Sequence, residues 1–150
     1  MTKFTNISLS LERTAELYPY KRAVVYPDGR DKNGRVLYSQ ITLSQLDSLS
    51  DSLAFGLESI GIIRGTRTIL MITPGMEFFI TMFAMFKVGA VPVVVDPGMG
   101  IDRMLQCLEQ GRPKAFIGIE KAHLLRTLKP KYFKPRSSVL ILILNSFNLP

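Results

Sequence analysis

The chain has 150 residues, 47% of them apolar, which allows one buried core and excludes a chain that is disordered as a whole. Lys and Arg number 19 against 12 Asp and Glu, and the resulting net charge of +7 would attract polyanions. The lone cysteine, Cys107, excludes an intramolecular disulfide and fits a small buried side chain in a reducing compartment. With neither a secretory signal nor a charge-free stretch long enough to cross a membrane, we expect a cytoplasmic protein without a transmembrane segment.

The first third of the chain predicts a helix and then a hairpin. Apolar residues at helical spacing begin at Ile7 and end near Tyr18, where Pro19 follows. Two short strands, Ala23–Tyr26 and Arg35–Tyr38, flank turn-forming residues and are expected to pair as a hairpin.

A second helix is predicted to begin after Thr42. Thr42 and Gln45 have the spacing of a capping box, in which each side chain binds the backbone N–H of the other residue. An apolar stripe follows at steps of three and four residues, and Gly61 ends the helix: Leu43, Leu46, Leu49, Leu53, Leu57 and Ile60. Asp47 and Asp51 lie off this stripe, and we interpret them as solvated surface charges rather than as a paired-carboxylate site.

The middle of the chain predicts buried structure. Thr68–Ile72 is expected to form a strand, with Thr73 as N-cap and Pro74 as the first residue of the next helix. The helical segment 76–86 is apolar on most sides, and its aromatic and methionine side chains are interpreted as packing core rather than as a lipid pocket. Gly89 ends this helix, and Val91–Val95 is predicted to be a strand covered on both faces.

The same order of helix, glycine and strand then recurs. The predicted elements are a helix Ile101–Gln110 stopped by Gly111, a strand Ala115–Ile119 and a helix Glu120–Leu128. Such a repeat is typical of an α/β fold with a mostly parallel sheet and flanking helices. From Lys129 the character changes, so the sequence predicts a domain over residues 1–128 and a divergent basic tail over 129–150, with one further possible strand, Val139–Leu144.

Candidate binding residues are few. Gly98-Met99-Gly100 could hold an anion before a helix, but Arg103 replaces the third glycine of a dinucleotide-binding loop, and a plain turn is preferred. His123 has no partner at the spacing of metal ligands.

Tyr132 and Phe133 within the basic segment Lys129–Arg136 would suit nucleic acid, although a solvated linker is the preferred interpretation and no nucleic acid is expected. We therefore assign no catalytic, cofactor-binding or metal residue.

Several blocks together resemble one enzyme family. They are Ile41-Thr42-Leu43-Ser44-Gln45-Leu46, Gly61-Ile62-Ile63-Arg64-Gly65-Thr66-Arg67, Pro74-Gly75-Met76-Glu77-Phe78-Phe79 and Phe86-Lys87-Val88-Gly89-Ala90-Val91-Pro92-Val93-Val94-Val95-Asp96-Pro97. In this order they resemble the acyl-adenylate-forming (AMP-dependent synthetase/ligase) superfamily, in the branch of fatty-acid CoA ligase-like proteins and olefin β-lactone synthetases. The resemblance covers roughly Ile7 to Leu128 and implies an incomplete N-terminal subdomain of such an enzyme.

The resemblance implies a two-step reaction in the full-length family. A carboxylate attacks the α-phosphate of ATP to give acyl-AMP, and a thiol such as that of CoA, or the substrate's own β-hydroxyl, then displaces AMP. The family's ATP-handling motifs, which also position Mg²⁺, have no counterpart in this sequence. We therefore expect a fragment, of truncated or frameshifted origin, that is inactive alone, binds no cofactor itself and meets a fatty-acyl substrate only within a full-length enzyme.

Two alternatives stay open. One is a non-catalytic partner or split-enzyme subunit that docks on a complementary chain carrying the remaining motifs. The other is an anion-binding module that uses the basic tail on nucleic acid or an anionic membrane.

Overall fold

The computed structural model describes residues 6–94, 102, 103, 106, 110–118 and 140–143. In these residues the chain forms three complete helices and six strands. The order is α1 (Ile7–Leu17), β1 (Arg22–Arg30), β2 (Val36–Thr42), α2 (Leu43–Ser59), β3 (Arg67–Met71), α3 (Met76–Val88), β4 (Val91–Val94), β5 (Ala115–Gly118) and β6 (Leu140–Ile143). Residues 102, 103, 106, 110 and 111 are also helical.

Helix α1 begins at an asparagine cap and confirms the first predicted helix. The Asn6 side chain accepts a hydrogen bond from the Ser8 backbone N–H at 3.1 Å, which satisfies one of the free donors of the first turn. The same amide donates to the carbonyl oxygen of Phe86, near the end of α3. Leu11 and Ala15 are buried on the inner side of α1, so the helix is attached both by its cap and by its apolar stripe.

Strands β1 and β2 form an antiparallel hairpin, as predicted, but both extend beyond the predicted bounds. The hairpin turns at Asp31–Gly34, and one Asp31 carboxylate oxygen accepts from the backbone N–H groups of Asn33 and Arg35 at 2.8 and 2.9 Å. This turn begins two residues after Pro27-Asp28-Gly29, because β1 continues through those residues by a register shift.

The predicted capping box of α2 is confirmed. Thr42 Oγ1 accepts from the Gln45 backbone N–H at 3.2 Å, and Gln45 Oε1 accepts from the Thr42 backbone N–H at 2.9 Å. Leu46 and Leu57 of the predicted stripe are buried, and its other leucines and Ile60 are partly buried against the core. Gly61 follows the helix in the left-handed region at φ 85°, where glycine is favoured.

A four-stranded parallel sheet in the order β4-β3-β5-β6 is the centre of the fold. Leu70 and Ile117 are register partners and belong to a core with Leu57 of α2 and Met85 of α3. Their neighbours Ile69 and Phe116 face the opposite side and are buried as well, with 2% and 0% of their surface exposed. The predicted α/β class with a parallel sheet and flanking helices is confirmed.

Strand β4 differs from its prediction. It lies at the edge of the described sheet, and Val91 and Val94 remain 44% and 55% exposed, so it is not covered on both faces. The apolar run identified a strand correctly, but a run of valines cannot distinguish an edge strand from a central one. Pro92 is the residue that carries this information, since proline cannot donate to a ladder and is confined to edge positions.

Two predicted helix boundaries are also wrong. Helix α3 is capped by Gly75 and begins at Met76, because Thr73 belongs to no helix or strand and Pro74 lies in a bend before the cap. At the other boundary Gly111 is still helical, and Arg112 adopts the left-handed conformation at φ 45° that was expected of the glycine. In both places the sequence identified the correct junction and misplaced it by one or two residues.

Strand β6 lies within the segment that the sequence assigned to a basic tail. Its backbone pairs in parallel with β5, from Ala115 opposite Leu140 to Gly118 opposite Ile143. This strand confirms the possible strand predicted near the chain's end, and it attaches residues 140–143 to the central sheet. The domain boundary after residue 128 stays a prediction. None of the helices in the described residues combines the length and the hydropathy of a membrane-spanning segment.

Candidate functional site

The carboxyl end of the parallel sheet is the place where this fold would position a ligand. After β3 the chain continues to β4 on one side of the sheet, whereas after β5 it continues to β6 on the opposite side. The direction of the connections therefore reverses between β3 and β5. In open α/β sheets ligands bind outside the carboxyl ends of the strands at such a switch point. Met71 and Gly118 are the last residues of the two strands and define this end of the sheet.

The start of α3 forms part of the same end. Gly75, its N-cap, is buried and supplies no side-chain hydrogen bond to the helix. A Cβ added at Gly75 would meet Glu77 Oε2 at 3.4 Å and Tyr26 Cε2 at 3.9 Å, so the backbone here lies against both side chains. Glu77 is the acidic residue of the first turn, where a negative charge is favoured by the helix dipole.

Among the described residues, the chemistry available at this end is limited. It comprises the Glu77 carboxylate, the Tyr26 phenol and the exposed hydroxyl of Thr73. No hydrogen bond joins these groups in a nucleophile–base arrangement of the kind that activates a hydroxyl. Among the described residues there is also no group of three acidic, histidine or cysteine side chains that could hold a metal ion. These residues alone therefore do not fit a magnesium site.

Asp47 and Asp51 are not the free surface charges that the sequence suggested. The Lys87 ammonium, on α3, donates to Asp47 Oδ1 at 2.7 Å, to the Asp47 carbonyl at 2.9 Å and to Asp51 Oδ1 at 2.6 Å. The Lys87 side chain is only 13% exposed, against 20% for Asp47 and 64% for Asp51. The two carboxylates thus hold one cation and join α2 to α3.

Sequence reasoning missed this cluster because the aspartates and the lysine lie 36 to 40 residues apart. A usable signal was present. Lys87 lies in a helix that is otherwise almost entirely apolar, and a cation in such a helix needs a partner on a neighbouring element.

The amino end of the sheet carries positive charge. Arg67 begins β3, Lys114 immediately precedes β5, and Arg112 lies two residues earlier; all three side chains are exposed. The Lys114 backbone N–H donates to the Arg67 carbonyl at 2.8 Å, and the Arg67 guanidinium donates to the Gly111 carbonyl at 3.3 Å. In the part of the chain that the structure describes, none of the three forms an ion pair with an acidic side chain.

The remaining candidates lie outside the described residues. They are Gly98-Met99-Gly100, Cys107, His123, the helix Glu120–Leu128 and the basic segment Lys129–Arg136 with Tyr132 and Phe133. Their assignments stay predictions.

Comparison with known proteins identifies the family. The family model described as "AMP-binding enzyme" matches residues 11–148. The chain is 48% identical over 130 residues to an olefin beta-lactone synthetase of Xanthomonas campestris pv. campestris, covering 85% of this chain and 23% of that protein. It is 44% identical over 128 residues to an olefin beta-lactone synthetase of Stenotrophomonas maltophilia, again covering 23% of the relative. The chain therefore spans less than a quarter of the length of these curated relatives.

Solved structures share the fold at lower identity. A fatty acyl CoA synthetase of Mycobacterium tuberculosis superimposes with a TM-score of 0.73 at 22% identity, covering 92% of this chain and 26% of that one. A long-chain-fatty-acid-CoA ligase (FadD1) of Archaeoglobus fulgidus gives a TM-score of 0.77 at 14% identity, covering 96% and 28%. With a family model matched from residue 11 to residue 148, the chain belongs to the AMP-binding enzyme family.

Proposed function

We propose that this chain is the N-terminal part of an ATP-dependent ligase that activates a fatty acid or β-hydroxy acid as its acyl-adenylate. The observation that carries the proposal is the identity of 48% and 44% to two olefin beta-lactone synthetases. A putative acyl-CoA synthetase of Bacillus subtilis, YngI, is less similar, at 34% over 113 residues. The β-lactone reaction is therefore favoured over thioester formation.

The proposed reaction has two balanced steps. The substrate carboxylate attacks the α-phosphorus of ATP, and pyrophosphate leaves as acyl-AMP forms. The β-hydroxyl oxygen then attacks the acyl carbon, losing its proton as AMP departs, and a four-membered lactone closes. In this scheme ATP and Mg²⁺ are bound by the whole enzyme, and CoA would be the second substrate only if the product is a thioester.

The contribution of this chain is structural in the proposal. Its described residues hold a parallel sheet against α2 and α3 through a core of aliphatic side chains, and the ion pairs of Lys87 with Asp47 and Asp51 join the two helices. Phosphoryl transfer depends on groups that position and neutralise the phosphate oxygens. The described residues contain no such constellation, so we infer that the 150-residue chain does not adenylate a substrate by itself.

A chimera tests the assigned reaction. Residues 1–150 of this chain would replace the aligned N-terminal region of the X. campestris olefin beta-lactone synthetase. We expect the purified chimera to convert a β-hydroxy fatty acid and ATP into a β-lactone, AMP and pyrophosphate, identified by mass spectrometry. A second chimera, with the same 150 residues in B. subtilis YngI, is the matched control. We expect its activity to fall further below that of YngI than the activity of the first chimera falls below that of the X. campestris enzyme. A folded X. campestris chimera that forms only acyl-AMP or a CoA thioester would contradict the β-lactone assignment.

A further inference from the structure

The amino end of the central sheet is a continuous surface made by three segments. They are the residues that precede or begin β3, β4 and β5, namely 61–67, 89–91 and 111–114. The Gly65 backbone N–H donates to the Gly89 carbonyl at 2.9 Å, which joins the first segment to the second. The Lys114 backbone N–H donates to the Arg67 carbonyl at 2.8 Å, which joins the third segment to the first. The three segments contain no acidic residue and four exposed cations, which we call the basic end: Arg64, Arg67, Arg112 and Lys114.

The same surface exposes aliphatic side chains. Ile63 and Val91 are 55% and 44% exposed, and Val91 is the register partner of Arg67 in the β3–β4 pair. Within the described segments, Arg67, Arg112 and Lys114 form no ion pair with a carboxylate. Two exposed apolar side chains therefore lie beside positive charge that no described carboxylate neutralises.

The sequence that leads into β6 supplies no carboxylate either. Strand β6 is parallel to β5, so its first residue, Leu140, lies at the same end of the sheet. Between Lys121 and Leu140 the sequence contains six lysines and arginines and no acidic residue. The basic end therefore has to find its counter-charge outside this part of the chain.

Other exposed apolar side chains in the described residues have a different electrostatic setting. Phe55, on the outer face of α2, has Asp51 and Glu58 as helical neighbours at four and three residues. At the carboxyl end of the sheet, segments 71–79 and 91–94 contain Glu77 and no cation. Helix α1 and the hairpin carry exposed charges of both signs: Glu12, Arg13 and Glu16 in α1, and Asp28, Arg30 and Lys32 in the hairpin. Positive charge without acidic residues is thus specific to the basic end among these surfaces.

An anionic bilayer is the partner that would use both features of the basic end. Lysine and arginine are attracted to the negative headgroups of anionic lipids, and apolar side chains beside them enter the boundary between headgroups and acyl chains. Nucleic acid would also attract the cations, but its bases stack on aromatic side chains. Ile63 and Val91 are aliphatic, so the observations favour the lipid surface.

We propose that the basic end, together with Ile63 and Val91, is a peripheral docking surface for a bilayer that carries anionic phospholipids. The amino end of the sheet lies on the headgroups, and the carboxyl end is directed away from the bilayer. The proposal is independent of the proposed function, because it invokes neither ATP nor an acyl substrate.

A matched pair of charge reversals tests the electrostatic part. The 150-residue chain would be sedimented with vesicles of phosphatidylcholine alone and of equal parts phosphatidylcholine and phosphatidylglycerol. Arg112→Glu with Lys114→Glu should weaken binding to the anionic vesicles at least about tenfold, since one cation near such a surface is worth about fivefold in affinity. The control, Arg35→Glu with Lys32→Glu, makes the same change of net charge on the exposed hairpin and should weaken binding less than about threefold. Circular dichroism would establish that each variant is folded, and Lys114→Gln replaces the first double variant if that one does not fold.

A second variant tests the apolar part. Ile63→Ser removes exposed aliphatic surface without changing charge, and we expect it to weaken vesicle binding about threefold at every salt concentration. The charge reversal at Arg112 and Lys114 should instead flatten the dependence of binding on salt, because fewer screened attractions remain. The X. campestris chimera should bind the same vesicles with the same response to each variant.

Several outcomes would overturn the proposal. They include equal binding to both kinds of vesicle, no binding to either, and equal losses from the two charge reversals. Tighter binding to a single-stranded oligonucleotide, lost with Arg112→Glu and Lys114→Glu but unaffected by Ile63→Ser, would assign the surface to nucleic acid. Binding by the isolated chain that is absent from a folded chimera would show that the rest of the ligase covers the basic end. Activity of the chimera is measured separately, so its loss would contradict the proposed function alone.

Discussion

Replacing Lys87 by alanine is expected to lower the free energy of unfolding by about 2 kcal/mol, since hydrogen bonds to charged groups are each worth more than neutral ones. The substitution removes three hydrogen bonds that join α3 to α2. It also leaves the Asp47 carboxylate, only 20% exposed, without its cation and one helical turn from Asp51. Urea denaturation followed by far-UV circular dichroism would measure the change.

Two further variants separate the ion pair from packing. Asp51→Asn should cost less than about 0.5 kcal/mol, because Asp51 is 64% exposed and its attraction to Lys87 is screened by water. The double variant Lys87→Ala with Asp47→Asn should lose less than the sum of the two single variants, since no uncompensated carboxylate remains at position 47. A loss below about 0.5 kcal/mol for Lys87→Ala would show that the cluster contributes nothing beyond an ordinary surface pair.

Gly89→Ala is expected to destabilise the fold by about 2 kcal/mol, because a left-handed conformation costs an L-residue roughly 1–2 kcal/mol and the new Cβ is crowded as well. Gly89 ends α3 at φ 71°, and an added Cβ would lie 3.1 Å from Arg64 Cγ and 3.4 Å from Arg64 Cβ. Urea denaturation is again the measurement.

Two other glycines are matched controls for this effect. Gly65 has φ 78° but nothing within 4 Å of an added Cβ, so Gly65→Ala should cost about 1 kcal/mol, the conformational part alone. Gly56 lies inside α2 without crowding, so Gly56→Ala should stabilise the fold by about 0.5–1 kcal/mol. If Gly89→Ala proved no more harmful than Gly65→Ala, the contact with Arg64 would have no energetic role.

Local chemistry predicted the elements whose signals are contained within a few residues. The capping box of Thr42 and Gln45 needs only two side chains three residues apart. The end of α3 needs only a residue that adopts a positive φ, and Gly89 is that residue. The start of α3 was misplaced because threonine followed by proline is a valid helix start in general, and nothing local indicates that the helix will begin only after Gly75. The same holds for Gly111 and Arg112, where tertiary context rather than propensity decides which residue is left-handed.

Features that depend on distant segments could not be predicted in this way. The exposure of Val91 and Val94 follows from the position of β4 at the sheet edge, which is a property of strand order. Lys87 joins aspartates of another helix, and the basic amino end combines Arg67 with two residues more than 40 positions later. The family, by contrast, could be recognised from sequence, because its markers are contiguous blocks around Gly61 and Lys87.

Pyrophosphate release distinguishes a structural part of a ligase from a chain that adenylates its substrate by itself. The isolated 150-residue chain and the X. campestris chimera would be compared at equal concentration with ATP, Mg²⁺ and a β-hydroxy fatty acid, using a coupled pyrophosphate assay. We predict release by the chimera and none above background by the isolated chain, because the chain supplies a structural part of the ligase and not its phosphate-binding groups. Sustained release by the isolated chain, or none by a folded chimera, would contradict the proposed structural role of the chain.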